Sequence, residues 1–137
     1  MYAWPMLYQF PVSARLPAAD MERARTWYRE KLGLEPVGET MGNLWYEVGG
    51  TWFLLYKTSY AGTALSTAAG WQVTGIEQVM ASLREHGVAF ENYDLGTTGK
   101  TVDGLLTYSA GKAAWFKDCE GNTIQLSEPL TIIAHGS

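Results

Sequence analysis

Two histidines, one cysteine and fourteen carboxylates are the side chains of this 137-residue chain best suited to hold a metal, attack an electrophile or move a proton. Their spacing assembles none of these chemistries. His86 stands just before Gly87 at an expected helix end, where a cation complements the helix dipole, and His135 falls in the tail. Cys119 sits in a turn without an obvious histidine partner, so nucleophilic catalysis is not expected there. Glu47, Glu91, Asp94 and Glu128 are spread over strand ends and read as solvated side chains, not as a converging acid pair. The glycine-rich run 91–104 feeds no helix and so offers no N-terminus to a phosphate; it reads as a mobile rim. What remains is recognition. Six tryptophans and eight tyrosines exceed what a chain of this size needs in order to fold. They suit either a core with a subunit interface, or a pocket for a flat or apolar ligand.

Composition narrows the partners. With 47% apolar and 18% charged residues the chain is globular, and its length fits one domain or two small fused modules. A net charge of -4 without a Lys/Arg cluster argues against nucleic acid and against an anionic membrane surface. No stretch is long and apolar enough to span a bilayer, and residues 1–10 lack the basic start of a signal peptide. A single cysteine excludes an intrachain disulfide framework and fits a reducing, cytoplasmic setting.

The elements that must position these residues occur twice. Residues 10–16 alternate as a strand, Asp20 is an N-cap, Met21, Ala24, Trp27, Tyr28 and Leu32 recur at helical spacing, and Gly33 ends the helix. Strands are expected over 35–40, 44–48 and 51–57, with Gly49-Gly50 as a hairpin turn. After a Ser/Thr/Gly/Ala-rich linker, a strand over 68–73 precedes a helix whose face is Ile76, Val79, Met80 and Leu83. Thr74 to Glu77 has capping-box spacing, and Gly87 is the stop. Strands over 89–93, 104–109, 113–117 and 123–127 complete the repeat. The pattern predicts an α+β fold of paired β-α-β-β-β modules forming a curved, partly open sheet with the helices on its convex face. The first module covers about 9–58, a linker 59–67, the second module 68–128 and a tail 129–137.

Two segments carry a resemblance. Residues 16–34, with Asp20, Trp27-Tyr28 and Leu32-Gly33-Leu34, resemble the first strand–helix signature of the vicinal oxygen chelate superfamily, which includes glyoxalase I, bleomycin-resistance proteins and extradiol dioxygenases. Residues 114–126, with Asp118, Gly121, Asn122 and Gln125, resemble its closing hairpin, where the family usually has Pro in place of Cys119. The resemblance spans about residues 11–128. It implies the paired-module fold, often a homodimer, and a ligand cavity on the concave face.

The same resemblance implies four metal-ligand positions, one on each of four strands, usually His or Gln and Glu. Here they are Ser13, Leu54, Ala68 and Gln125. Leucine and alanine offer no donor atom, and neutral ligands leave the charge of a divalent ion uncompensated. Neither a metal, another cofactor nor a catalytic residue is therefore expected.

If those four positions mark the concave side, strand alternation adds Arg15, Trp52, Tyr56, Gln72 and Thr123 to it. Val12, Ala14, Leu16, Phe53, Leu55, Trp71, Val73, Ile124 and Leu126 then face the helices. Ligand contacts are expected from Ser13, Arg15, Trp52, Leu54, Tyr56, Ala68, Gln72, Trp115 and Gln125, with Tyr93 and Tyr108 flanking the opening. Such a lining suits an apolar or aromatic small molecule with a few polar atoms, and an anionic group on it would face Arg15. Three functions compete. One is a metal-independent binding protein similar to the bleomycin-resistance branch, which sequesters an antibiotic or natural product. Another is a lyase, isomerase or oxygenase with a non-standard metal site or none. The third is a homodimeric module whose aromatics serve association.

Overall fold

In the computed structural model, which describes residues 6–130, Asp20 opens the first helix. Its carboxylate accepts from the Arg23 N–H at 3.0 Å, and α1 runs over Met21–Leu32. Gly33 ends it in the left-handed conformation, φ 70°, returning its N–H to the Arg29 carbonyl. Before α1 lies β1 (Ala14–Ala18), and after it come β2 (Gly38–Thr40), β3 (Asn43–Val48) and β4 (Thr51–Lys57). The second half repeats the order with β5 (Thr67–Gln72), α2 (Ile76–Glu85), β6 (Leu105–Tyr108), β7 (Gly111–Lys117) and β8 (Thr123–Pro129).

The expected sheet is resolved as two four-stranded sheets, ordered β1-β4-β3-β2 and β5-β8-β7-β6. In each, the first strand pairs in parallel with the last, and the remaining pairs are antiparallel. The side chains turned toward the helices merge into one hydrophobic cluster drawn from both halves. Leu16, Ala18, Tyr46, Leu55, Phe116 and Ile124 are all buried in it. Tyr46 stacks on Phe53 with ring centroids 4.7 Å apart, and Trp27 of α1 stacks on Phe116 of β7. The predicted helix-facing residues Ala14, Leu16, Phe53, Leu55, Ile124 and Leu126 belong to that cluster or pack against it.

Four sequence expectations are corrected. The first strand begins at Ala14, not at 10, because Leu7–Gln9 form a 3-10 turn and Pro11 has no N–H to pair. Val12 is consequently 93% exposed rather than core-facing. The stretch 89–93 is not a strand; only Phe90 bridges to Phe116. Asn92 there accepts instead from the Thr101 hydroxyl and the Gly104 N–H, both at 2.9 Å, a side-chain bond that competes with a ladder. The local cap expected from Thr74 does not form. Gly75 takes the N-cap position at φ 73°, and Glu128 of β8 accepts from the N–H groups of Gly75 (2.7 Å) and Ile76 (3.0 Å). Glu128 and Glu91 are therefore engaged rather than merely solvated, since Glu91 pairs with Lys117 at 2.7 Å. His135 and most of the tail lie outside the described residues.

The start of α1 is secured in the same way as that of α2. Glu120, in the β7–β8 turn, accepts from the N–H groups of Ala19 (2.7 Å) and Asp20 (3.3 Å) and pairs with Arg23 at 2.7 Å. In that turn Asp118 is buried and takes bonds from the Glu120 and Asn122 N–H groups, the Asn122 amide and the Tyr28 hydroxyl. The linker packs here too: a Cβ on Gly62, which sits at φ 78°, would meet the Glu120 carbonyl oxygen at 2.8 Å. The closing turn thus fixes the first module against the second.

Candidate functional site

β4 and β8 set the two faces of the site. The register aligns Trp45, Leu54 and Arg15 across the first sheet, and Trp115, Gln125 and Gly70 across the second. The two rows are equivalent under the internal repeat. Leu54 is buried between its neighbours, the Arg15 guanidinium lies over the Trp45 ring at 5.0 Å, and Trp45 meets Trp52 edge-on. In the second sheet Trp115 meets Tyr93 edge-on at 5.6 Å.

A cavity of about 720 Å³ lies at the seam between the modules. Its walls come from residues 12–14 leading into β1, the β3–β4 hairpin with Trp52 and Phe53, the strand residues Ala69 to Gln72, and Gln125 and Ser127 of β8. No charged side chain lines it. Of the residues singled out in the sequence, Ser13, Trp52, Gln72 and Gln125 are brought together there. Arg15, Leu54, Tyr56, Trp115, Tyr93 and Tyr108 lie outside the lining, and so does Ala68. Ala68 sits where the β5–β8 register shifts between Thr67 and Ala69, so Gly70, not Ala68, is aligned with Gln125.

The cavity also uses residues that face sorting had sent to the core. Phe53 and Trp71 meet edge-on at 5.9 Å across the seam, and both touch the cavity. Alternation alone could not reveal them, because it assigns faces within a sheet and says nothing about a gap between two sheets. Trp45, which stands outside the lining, was missed as the partner of Arg15 and Trp52 because Leu44, Trp45 and Tyr46 are apolar in succession, which hides the period-2 signal.

The polar wall is unengaged. Among the described residues the side chains of Ser13, Gln72, Gln125 and Ser127 make no hydrogen bond within the protein. These are uncharged donors and acceptors set beside aromatic rings, an arrangement that can orient a ligand but cannot hold an ion. A divalent metal does not fit. The four ligand positions supply one hydroxyl, one amide and two side chains without donors, and no three His, Cys, Asp or Glu side chains converge among the described residues.

Tyr28 and Tyr46 lie in the hydrophobic core, and Cys119 packs against it. Burial, with the Asp118 and Glu120 carboxylates, pushes the Cys119 thiol up to about 11, so it stays protonated at neutral pH. Burial and the adjoining Asp118 carboxylate hold the Tyr28 phenol well above its ordinary range. Burial pushes Tyr46 up to about 12. His86 Nδ1 lies 2.9 Å from the Ser82 carbonyl, one turn back on α2.

No protein-family model and no curated protein sequence matches the chain. Solved structures do. A glyoxalase family protein from Enterococcus faecalis superposes with a TM-score of 0.65 at 23% identity, covering 90% of this chain and all of that one. A glyoxalase/bleomycin resistance protein from Catenulispora acidiphila gives 0.61 at 20%, over 85% of this chain and 96% of its own. The genomically encoded fosfomycin resistance protein of Listeria monocytogenes, solved with Mn(II) and sulfate, gives 0.63 at 11%, over 88% and 90%. The fold of this chain is the one that these glyoxalase, bleomycin-resistance and fosfomycin-resistance structures share.

Proposed function

We propose that this chain binds an uncharged small molecule with an aromatic or apolar body, without a metal, and that it sequesters this ligand rather than transforming it. The observation that carries the reading is the seam cavity. Trp52, Phe53 and Trp71 supply apolar surface, and Ser13, Gln72, Gln125 and Ser127 supply unengaged, uncharged hydrogen-bonding groups. Burying an uncharged ligand there costs no ion desolvation, whereas a charged one would meet no counter-charge in the lining. Arg15 stands over Trp45 outside the cavity, which argues for a neutral ligand over an anionic one. Some antibiotics and other natural products are uncharged molecules of this kind, and resistance proteins are among the structural neighbours.

The same proposal includes a homodimer. Its support is the set of exposed apolar residues Leu7, Tyr8, Phe10 and Val12, the last of which lines the cavity. Sedimentation equilibrium tests the dimer. Tryptophan-fluorescence quenching by a panel of uncharged aromatic metabolites and antibiotics tests the binding. Saturable quenching with no turnover of the ligand is expected; absence of quenching across the panel, or stoichiometric capture of a divalent metal, would overturn the reading.

A further inference from the structure

Four consecutive residues of β5, Ala69 to Gln72, touch the cavity. Successive side chains of a strand point to opposite faces, so a cavity that meets all four lies against the strand's edge rather than one face. β5 ladders with β8 alone, and β1 with β4 alone, so their unladdered edges face each other across the seam, close together over part of their length.

The ladder parity shows which backbone groups these are. Val73 donates to the Ser127 carbonyl at 2.8 Å, which turns Val73, Trp71 and Ala69 toward β8 and leaves the N–H and C=O of Gly70 and Gln72 pointing to the free edge. On β1, Thr58 donates to the Ala18 carbonyl at 3.0 Å, so Arg15 and Pro17 point away from β4. One end of the seam is already closed. Pro17 has no N–H to satisfy, and its carbonyl accepts from Asn122 Nδ2 at 2.9 Å. At the cavity end the groups of Gly70 and Gln72 have no ladder partner.

Glycine at 70 is not required by the protein itself. Its φ lies outside the left-handed region, and the three atoms nearest an added Cβ all belong to Gln125, at ordinary contact distances of 3.5–3.8 Å. The bare Cα therefore serves what approaches from the cavity, since a glycine in a strand marks close approach by another backbone or a ligand.

We infer that the ligand is an uncharged, extended, peptide-like molecule that hydrogen-bonds to the free β5 edge at Gly70 and Gln72. This deepens the binding reading and rests on it. Gly70 and Gln72 are about 6.6 Å apart along the strand, so two or three successive amides in the ligand suffice to use both. The strand edge supplies main-chain affinity, while the Gln72 and Gln125 amides and the tryptophans select side groups.

The test uses two probes: neutral N-phenyl-1-naphthylamine as a fluorescent occupant of the cavity, and an acetylated, amidated tetrapeptide of alternating valine and threonine as competitor. The tetrapeptide is expected to displace the fluorophore, and the same peptide methylated on alternate amide nitrogens to do so about tenfold more weakly, the loss of one to two backbone bonds. Gly70→Val, checked for unchanged thermal unfolding, should weaken the tetrapeptide by at least that factor. Equal displacement by the methylated and unmethylated peptides, or none by either while the fluorophore binds, overturns the inference and leaves the cavity reading standing. Failure of the fluorophore and the peptides together overturns both. The methylation comparison needs no variant, so a Gly70→Val protein that does not fold leaves the test intact. Dissociation of a dimer by the peptide would assign the edge to a second copy and overturn the inference.

Discussion

The Tyr28 hydroxyl donates to Asp118 Oδ2 at 2.6 Å, joining α1 of the first module to the closing turn of the second. Both residues are buried, and the bond is one of four that Asp118 receives. Tyr28→Phe removes one donor to a buried carboxylate while keeping the ring, and the expected cost is about 2 kcal/mol. Urea unfolding should show a lower midpoint with an unchanged slope. A loss under about 0.5 kcal/mol would mean that the remaining three donors suffice.

Glu120 gives the stability curve an acid limb. Burial alone would raise its carboxyl, but bonds from Ala19, Arg23 and Asp20 outweigh that and hold it below the ordinary value of 4.5. A folded-state value below the unfolded one contributes stability that is present above pH 4.5 and is lost as pH falls through the folded value. Glu120→Gln should therefore be less stable than the parent at pH 7 and should lose less between pH 5 and pH 3, measured as unfolding free energy against pH. Parallel curves for the two proteins would contradict this. Glu128 is displaced in the same direction by the Ile76 and Gly75 N–H groups, so some acid sensitivity survives in the variant.

Cys119 should be slow to react. With its thiol at about 11 against an ordinary 9.0, its thiolate fraction at pH 7.5 is roughly 100-fold below that of a free thiol. The more basic thiolate is also the better nucleophile, so iodoacetamide labelling, followed by mass spectrometry, should be about tenfold slower than labelling of an unfolded control. Labelling as fast as the control would contradict the geometry.

Trp52 separates binding from folding. It is 48% exposed, and its ring contact is with Trp45, away from the main core. Trp52→Ala should weaken the binding of an uncharged aromatic ligand about tenfold, while unfolding free energy changes by less than about 1.5 kcal/mol. A variant that loses stability but keeps its affinity would make Trp52 a packing residue.

Much of the fold was legible because local chemistry and tertiary packing agree. Asp20 and Gly33 bound α1 as their types require, and Thr51–Lys57 reads as a strand from its short aromatic and apolar run after the Gly49-Gly50 turn. The repeat of strand, helix and glycine stop pointed to paired modules for the same reason. What stayed hidden depends on distant partners. Nothing near Gly75 announces that its cap is Glu128, some fifty residues on. Likewise nothing near Asn92 shows that it will hold a loop instead of a ladder. The cavity was half legible: Ser13, Trp52, Gln72 and Gln125 share it, but Phe53, Trp71 and Gly70 join through a gap between sheets that no within-strand period encodes.

The central claim is a cavity that recognises an uncharged ligand without a metal. Its most direct test is the dissociation constant of N-phenyl-1-naphthylamine, measured on exhaustively chelated protein and again at saturating Mn(II). The account predicts saturable binding with the same constant in both. Binding that appears or tightens at least tenfold only with Mn(II) would contradict it.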